Sequence, residues 1–368
     1  MSGPYRPTRA VVDLDALRHN IRAVMPDDAD LMAVVKADAY GHGDVACARA
    51  ALEAGATWIG VALVEEGLVL REAGIDAPIL CLSEFPPGAE ADALAGSLTP
   101  TVYSQGGFDR LLAAAADPGV TLGGVHVKVD TGMHRVGMAP DEIPAFVEHI
   151  RGAGLTVAGL WTHLARAEDD AELTKKQLER FLEVVDAVRA LGVEPKLHAA
   201  NSAATMLYPE THLDIVRPGI AIYGLAANPA LASSAGLKPA LTWKSAVSFA
   251  KRLAAGESVS YGQTHTLERD AWIATVPVGY EDGYSRRLSN RADVLIGGKR
   301  RRVVGNVTMD QILVDCGDDE IAVGDEVVLL GAQGDERVSA EELAEINGTV
   351  HYEVLCAISE RVPREYVG

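Results

Sequence analysis

The sequence has few cysteines, no long apolar run and fewer basic than acidic residues. Its four cysteines, Cys47, Cys81, Cys316 and Cys356, are widely scattered, with no CxxC pair and no histidine at ligand spacing. This pattern predicts reduced, partly buried thiols and no metal site. No stretch is long enough to cross a bilayer, and the N-terminus lacks an apolar signal-peptide core. We therefore expect a cytoplasmic protein without a membrane segment.

The charge balance argues against polyanionic partners. The chain has 33 Lys and Arg against 52 Asp and Glu, a net charge of −19. Such a field repels phosphate backbones and anionic lipids, so we expect binding neither to nucleic acid nor to a membrane surface. The basic run KRRR at 299–302 follows a Gly-Gly pair and precedes two valines. That pattern predicts an exposed edge strand after a hairpin turn and not a binding patch.

The first two thirds of the chain alternate short apolar runs with amphipathic segments. This rhythm is typical of parallel βαβ units, and eight of them that close on themselves form a (β/α)8 TIM-type barrel, an α/β fold. A doubly wound open sheet is the alternative, but no GxGxxG follows the first strand. The eight predicted strands lie at 31–36, 57–63, 78–83, 98–103, 124–130, 157–163, 195–200 and 213–219.

The pattern changes after residue 236 to short alternating strands separated by glycine turns. One helix, at 339–349, opens with a Ser-x-x-Glu capping pattern. We predict a barrel domain over 1–236 and a mostly β C-terminal domain over 237–368. The segment AANPALASSAGLKPA at 226–240 is the predicted linker.

Polar side chains fall where barrel enzymes carry their chemistry, at the carboxyl ends of the strands. Lys36 follows the first run, and the fifth run ends with Lys128 and Asp130. The sixth, seventh and eighth runs end near His163, His198 and Arg217.

A phosphate site is predicted at the last two strands. The Ser202 hydroxyl and the N–H groups of Gly219 and Ile220 would suit a phosphate dianion at a helix start. A lysine such as Lys36 opposite that site suggests pyridoxal 5′-phosphate (PLP), attached covalently and anchored by its phosphate. The candidates for stacking on its ring and facing its nitrogen are His163 and Arg217.

The segment VVKADAYGHG at 34–43 resembles, along its whole length, the cofactor-lysine signature of the alanine racemase family. Further family motifs follow in the family's order, so the resemblance covers nearly the whole chain. They are VKVDTGMHRVG (127–137), HAANSAA (198–204), VRPGIAIYG (216–224), VSYGQTH (259–265), VGYEDG (278–283), TMDQ (308–311) and HYEVLCAISERVPR (351–364), in which the motif does not specify Glu360.

The resemblance implies a cytoplasmic homodimer that interconverts L- and D-alanine and supplies D-alanine for peptidoglycan. It implies that Lys36 binds the cofactor covalently and is one catalytic base. Tyr261, contributed by the C-terminal domain of the second subunit, is the other. The implied cofactor-binding residues besides Lys36 are Tyr40, Ser202, Gly219, Ile220 and Tyr352 for the phosphate, Asn201 beside it, Arg217 at the pyridine nitrogen and His163 against the ring.

The resemblance also assigns the substrate side. Arg135 and the backbone N–H of Met309 would bind the substrate carboxylate, and Tyr280 would line the entrance. Lys128 matches the position that is carbamylated in the family and would steady Arg135. The family usually has Arg and Cys where GNVTMD, at 305–310, has Asn306 and Thr308.

Elementary chemistry favours a racemase. Racemisation removes a proton from one face of Cα and returns one to the other, so two bases must flank a planar centre. Arginine does not give up its proton, so a pyridine nitrogen facing Arg217 stays unprotonated and withdraws electrons less strongly. This limits side reactions such as transamination.

Several alternatives remain at this point. Because Asn306 and Thr308 lie on the substrate side, a racemase that prefers serine or another small amino acid is one of them. A barrel-type PLP decarboxylase would use an acidic group at the ring nitrogen and a cysteine-centred motif. A PLP carrier would need only the barrel, and a Schiff-base aldolase would need no phosphate site.

Overall fold

The computed structural model describes residues 5–116, 122–227 and 229–368. Residues 1–4 of the predicted barrel domain and Asn228 of the predicted linker lie outside the described residues. Two compact units are present. The barrel unit consists of Asp15–Ala39 and Asp44–Lys238, and the sheet unit consists of the residues up to Leu14, Tyr40–Gly43 and Pro239–Gly368.

The strands and helices are numbered in chain order. The strands are β1 (Arg9–Asp13), β2 (Asp30–Val34), β3 (Trp58–Val61), β4 (Ile79–Cys81), β5 (Thr101–Val102), β6 (Val125–Lys128), β7 (Val157–Trp161), β8 (Lys196–His198), β9 (Ile215–Val216), β10 (Leu241–Ala246), β11 (Phe249–Leu253), β12 (Ser258–Val259), β13 (His265–Thr266), β14 (Ala271–Val276), β15 (Asp293–Ile296), β16 (Lys299–Val304), β17 (Ile312–Gly317), β18 (Glu326–Gln333), β19 (Glu336–Val338) and β20 (Arg364–Val367). The helices are α1 (Leu14–Val24), α2 (Lys36–Gly41), α3 (Asp44–Glu53), α4 (Val64–Glu72), α5 (Glu90–Ala95), α6 (Gln105–Ala114), α7 (Ile143–Gly152), α8 (Ala171–Ala190), α9 (Ser202–Leu207), α10 (Pro229–Ser234), α11 (Ala340–Asn347) and α12 (His351–Cys356).

The barrel unit contains eight parallel strands that close on themselves. They form two four-stranded sheets, in the orders β4-β3-β2-β9 and β5-β6-β7-β8. A parallel bridge between Leu80 and Thr99 joins the sheets on one side. On the other side, the N–H of Asp214 donates to the carbonyl of Leu197, which ties β8 to β9. The predicted (β/α)8 barrel is therefore confirmed, and the open sheet is excluded.

The barrel strands are buried on both faces, as parallel strands covered by helices must be. All four residues of β6 are buried, including His126 and Lys128, and so are all three of β4. The near-continuous apolar runs in the sequence therefore predicted these strands correctly. The strands are shorter than predicted because the residues at their carboxyl ends turn away into the loops. Lys36, predicted at the end of the first barrel strand, instead begins α2, two residues after β2 ends.

The sheet unit contains one ten-stranded sheet in the order β11-β14-β17-β16-β15-β18-β10-β1-β20, with β19 paired to β18. The assignment of all of residues 1–236 to the barrel was wrong for β1, which pairs with β10 and β20. The reason is visible in the burial pattern of β1. Ala10 and Val12 are buried while their neighbours are not, and this alternation suits a strand with one covered face.

The basic run does not lie at a sheet edge. β16 carries it and pairs with β15 on one side and β17 on the other, so the prediction of an edge strand was wrong. The hairpin turn before it is confirmed, since Gly297 and Gly298 connect β15 to β16 with φ of 63° and 71°. The basic side chains are placed against carboxylates, through the pairs Lys299–Asp319, Arg301–Asp319, Arg300–Asp293 and Arg302–Asp293.

Four smaller expectations meet the structure as follows. The capping pattern is confirmed, because the Ser339 hydroxyl accepts a hydrogen bond from the N–H of Glu342 at the start of α11. Within the predicted linker, α10 forms a helix, which the glycine and alanine content did not predict. All four cysteines are unpaired, and only Cys356 is exposed. No helix in the described ranges combines the length and apolar character needed to span a membrane.

Candidate active site

Lys36 begins a turn that runs in the left-handed sense. The four residues after it, Ala37 to Tyr40, have φ between 51° and 55°. Such a conformation costs about 1–2 kcal/mol for each residue with a Cβ, so contacts elsewhere in the fold must hold it. The Glu66 carboxylate accepts the N–H of Ala37 at 2.7 Å, and Ala39 donates to the Val35 carbonyl. These bonds fix the backbone on which Lys36 stands.

Glu66 itself is fixed by the start of α4. Its second carboxylate oxygen accepts the N–H groups of Ala62 at 2.8 Å and Leu63 at 3.1 Å. A carboxylate suits this place because helix N-termini present unpaired N–H groups and a partial positive charge. One side chain therefore connects the turn after Lys36 to the loop that follows β3.

Lys128 is a buried cation. Its side chain is 3% exposed, and Nζ lies 4.3 Å from the centroid of the Trp161 ring. Burial, followed by the charges of Arg135 and Arg217, lowers the pKa of Lys128 to about 7. Within the described residues Lys128 forms no ion pair with Asp130 or with another carboxylate. Asp130 instead accepts from the N–H groups of Gly132 and His134 and from the His134 ring.

Arg217 lies in the barrel interior. One terminal nitrogen donates to the carbonyls of Thr162 at 2.7 Å and Ala199 at 3.1 Å, and the other bonds Nδ1 of His198 at 3.0 Å. The guanidinium carbon lies 4.8 Å from the Trp161 centroid. Burial lowers the pKa of Arg217 to about 9. Among the described residues, Nε of Arg217 has no hydrogen-bond partner and remains available as a donor.

The bonds of Arg217 determine how the two histidines behind it hold their protons. Because arginine only donates, Nδ1 of His198 accepts, so its proton lies on Nε2. That proton is donated to Nδ1 of His126 at 2.9 Å. Burial lowers the pKa of His126 to about 3 and that of His198 well below its ordinary value. Both imidazoles are therefore neutral, and His198 accepts the hydrogen bond that Arg217 donates.

His163 lies two residues beyond the end of β7. Burial, followed by the charges of Arg217, Lys128, Arg135 and Lys36, lowers the pKa of His163 well below its ordinary value. Around the Trp161 ring the structure brings together Lys128, His198 and Arg217, which the sequence placed at the ends of the fifth, seventh and eighth predicted strands.

The predicted phosphate site is built from backbone N–H groups. The Ser202 hydroxyl accepts from the N–H groups of Gly219 at 2.9 Å and Ala221 at 3.3 Å. Ser202 and Ile220 each occupy the first position of a helical turn, where the N–H has no carbonyl partner within the turn. The helix cap is Asn201, whose side chain accepts from the N–H of Ala204 and donates to the Leu164 carbonyl. Ser202 is therefore the first residue of α9 and not its cap.

The sheet unit holds the other predicted site residues. The Tyr40 and Tyr352 rings lie 6.2 Å apart at an angle of 48°. Burial raises the pKa of Tyr40 above its ordinary value, so its hydroxyl stays protonated and can donate. Two tyrosine rings thus lie side by side in the sheet unit.

Tyr280 and Met309 are adjacent through their main chains. The N–H of Tyr280 donates to the Thr308 carbonyl at 3.0 Å, and that of Glu281 donates to the Met309 carbonyl at 3.2 Å. Met309 is half exposed, and its N–H donates to no group in the part of the chain that the structure describes. Tyr261 is 77% exposed on a loop that contacts the same segment through Asn306.

Sequence reasoning missed several residues of this site. Trp161 lies under both Lys128 and Arg217, and its ring stacks on His198 at 5.5 Å with 10° between the planes. His126 had a detectable signal, since it stands two residues before Lys128 on the same face of β6. Glu66 had only the general signal of an acidic residue in a first helical turn.

Gly159 shows how closely the histidines are packed. A Cβ at this position of β7 would lie 2.3 Å from Nδ1 of His126, and the ring has no room to move within the packed barrel interior. The absence of a side chain at Gly159 therefore allows His126 to reach His198. This glycine is required for packing and not for a turn.

Comparisons with known proteins match nearly the whole chain. The family model for the alanine racemase N-terminal domain matches residues 12–227, and the model for the C-terminal domain matches residues 240–366. The chain belongs to the alanine racemase family. The resemblance drawn from its motifs is therefore confirmed.

Individual relatives match at full length. An alanine racemase from Symbiobacterium thermophilum is 51% identical over 99% of this chain and 98% of its own. The crystal structure of an alanine racemase from Streptomyces lavendulae has a TM-score of 0.94 at 40% identity, covering 100% of this chain and 98% of that one. That of an alanine racemase from Bacillus anthracis with bound L-Ala-P has a TM-score of 0.93 at 40% identity, covering 100% and 96%.

Proposed function

We propose that the chain is a PLP-dependent racemase that interconverts L- and D-alanine with two bases, Lys36 and Tyr261. The observation that carries the proposal is the arrangement of Lys128, His198 and Arg217 around the Trp161 ring in the barrel unit, in a chain that matches an alanine racemase over nearly its full length. The decarboxylase alternative is disfavoured because the buried group available to a ring nitrogen is the guanidinium of Arg217 and not a carboxylate.

The donor groups fit PLP. The N–H groups of Ser202 and Ile220 suit its phosphate, as does that of Gly219 once the Ser202 hydroxyl turns toward the anion. The hydroxyls of Tyr40 and Tyr352 would supply further donors of the kind that a phosphate accepts. Asn201, as the cap of α9, holds the backbone that presents Ser202. When bound, PLP links covalently to an amino group and withdraws electrons from Cα, which makes the Cα hydrogen acidic.

Arg217 would set the strength of that electron withdrawal. Its Nε is the donor without a partner among the described residues, and the bonds of the other two nitrogens keep the guanidinium in place. A donor that does not give up its proton leaves a pyridine nitrogen unprotonated. His163, which burial keeps neutral, would lie against the ring without adding charge.

The two bases would act on opposite faces of Cα. Lys36 Nζ takes or returns the proton on one face, and the phenol oxygen of Tyr261 does so on the other. We propose that Tyr261 comes from the second subunit of a cytoplasmic homodimer, with the sheet unit of each chain serving the partner's site. The product D-alanine would serve peptidoglycan synthesis.

Substrate binding follows from the charges. Arg135 is exposed and forms no hydrogen bond or ion pair within the described residues, and Met309 offers its N–H. Both are donors that suit the α-carboxylate of an amino acid. Tyr280, next to Met309, would line the entrance.

Carbamylation of Lys128 is the first prediction. The reaction of an amine with CO2 needs the neutral amine, and a pKa near 7 supplies it at neutral pH. The carbamate would replace a buried positive charge by a negative one beside Arg135, which removes the repulsion between the two side chains. We expect 13C NMR of protein equilibrated with 13C-bicarbonate to show one protein-bound carbamate above pH 7, lost as the pH falls below about 7 because Nζ takes up a proton.

The control for carbamylation is Lys128→Arg, which keeps a cation but does not react with CO2. The same signal in this variant, or no signal in the unmodified protein at any pH between about 7 and 9, would contradict the assignment.

The proposed activity is tested directly by optical rotation. The protein is loaded with PLP and given L-alanine or L-serine, and circular dichroism follows the approach to zero rotation. We expect complete loss of rotation with alanine and a higher kcat/KM for alanine than for serine. The reverse order would support a serine racemase, the alternative that Asn306 and Thr308 raise. Constant rotation with both amino acids would contradict the proposed function.

A further inference from the structure

The loop that carries Tyr261 is not hydrogen-bonded into the large sheet. It connects β12 to β13, which pair only through Ser258 with Thr266 and Val259 with His265. The two strands form a sheet of their own, separate from the ten-stranded sheet. Val259 packs against buried residues of β14 and β16, so the hairpin strands are supported, but the exposed loop between them is not part of that cluster. Contacts made by the loop itself must therefore fix the position of the Tyr261 side chain.

The backbone of this loop is also in a costly conformation. Ser260 and Gln263 have φ of 62° and 49°, and Gly262 between them has φ of 73°. Positive φ is unfavourable for residues with a Cβ, so the loop would relax if nothing held it. Tyr261 itself is 77% exposed, and burial of its own ring does not hold it.

Asn306 makes the contacts that hold the loop. Its side-chain amide donates to the Tyr261 carbonyl at 2.6 Å, and its own carbonyl accepts the Ser260 hydroxyl at 2.7 Å. Bonds on both sides of the peptide that joins Ser260 to Tyr261 fix the orientation of that peptide. The chain approaches closely here because of Gly305, where a Cβ would lie 2.5 Å from that of Ser260.

The segment that carries Asn306 is in turn anchored to the rest of the sheet unit. The Asn290 side chain accepts the N–H of Gly305 at 2.6 Å and donates to the Thr264 hydroxyl at 3.0 Å. The Ser289 hydroxyl accepts the N–H of Val307 at 2.9 Å. Asn290 thus bonds both Gly305 and the far end of the loop, and the loop rests on a fixed support.

We propose that Asn306 is a positioning residue for Tyr261: its amide holds the main chain of the loop so that the phenol reaches the reacting carbon. This inference rests on the proposed function. It predicts a selective defect. If Asn306 is removed, Tyr261 keeps its hydroxyl but loses its fixed place, so the proton step on its face slows. The step on the face of Lys36 stays intact, because the barrel unit holds Lys36 through its own bonds.

The test uses two variants and one control in the full-length, PLP-loaded protein. Asn306→Ala removes the amide. Asn306→Asp keeps the size but, when ionised, has no proton to donate to the Tyr261 carbonyl. Gln333→Ala is the matched control, since it removes an amide that bonds main-chain groups at Gly298 and Glu326 elsewhere in the same unit.

Three measurements distinguish positioning from general damage. In D2O, NMR gives deuteration at Cα, and circular dichroism gives inversion. For both Asn306 variants we expect inversion to fall about 10- to 100-fold. Deuteration of the enantiomer whose proton Lys36 removes should stay within a factor of about three of the unmodified protein. Hydrogen exchange of the backbone, read by mass spectrometry on protein without substrate, should be faster over residues 258–266 only.

Each other outcome overturns the inference. An equal fall in deuteration and inversion would mean that Asn306 acts on the whole site, and unchanged inversion would mean that Tyr261 does not depend on it. Unchanged exchange over 258–266 would mean that the amide does not hold the loop. Failure of the proposed function looks different, because the unmodified protein would then neither deuterate nor invert alanine.

Discussion

Replacement of Lys36 by alanine is expected to abolish racemisation, with a fall in kcat of more than about 10⁴-fold. The variant loses the amine that binds PLP covalently and one of the two bases, so both proton transfers fail. The visible absorbance of the covalently attached cofactor should disappear with it. Assays of optical rotation and of absorbance on the same preparation measure both effects.

The control for this variant is Lys175→Ala, which removes an exposed lysine of α8 that pairs with Glu179 on the helix surface. It should retain full activity and absorbance. A Lys36→Ala protein that still racemises alanine at a tenth of the normal rate would show that another group attaches the cofactor. In that case Lys128, the buried amine in the same group of cations, becomes the candidate.

Replacement of Tyr261 by phenylalanine is expected to slow inversion by about 10²- to 10⁴-fold, because it removes the proton-carrying oxygen on one face. Deuteration of one enantiomer in D2O should continue, since Lys36 still exchanges the proton on its own face. Loss of deuteration and inversion together would show that the two bases are misassigned. Tyr5→Phe, at a tyrosine that is 96% exposed, is the matched control and should leave both rates unchanged.

The same two variants test whether Tyr261 serves the partner subunit. In a mixed dimer of Lys36→Ala and Tyr261→Phe chains, one of the two sites would receive Lys36 from one chain and Tyr261 from the other. Random mixing of equal amounts makes half of the dimers mixed, so up to about a quarter of normal activity should return. If mixing restores no activity while the dimers exchange subunits, both bases belong to one chain.

The barrel was predictable because its strands are buried on both faces. Eight apolar runs separated by amphipathic segments leave few other arrangements, and each observed barrel strand overlaps one predicted run. The N-terminal strand β1 was misplaced because five residues do not indicate which sheet they join. Its partners, β10 and β20, lie more than 200 residues away along the chain, so no local pattern reveals them.

The left-handed turn after Lys36 was not predictable from local preference. Alanine and tyrosine disfavour positive φ, and nothing in KADAYG indicates it before Gly41. The turn is held by a hydrogen bond between residues far apart in the sequence, in which the Glu66 carboxylate accepts the N–H of Ala37. The same limit applies to the loop of Tyr261, where the support comes from Asn306 and Asn290. Spacing identifies the residues at strand ends, but the bonds that orient them come from the folded chain.

The most direct test of the account follows L-alanine in D2O with the unmodified, PLP-loaded protein, with optical rotation and Cα deuteration recorded on the same sample. The account predicts that rotation falls to zero while deuterium enters at Cα, as two bases on opposite faces require. If deuterium enters while optical rotation is retained, the roles assigned to Lys36 and the cofactor stand. The assignment of Tyr261 as the second base would then be contradicted. Constant rotation without deuterium would contradict the racemase itself.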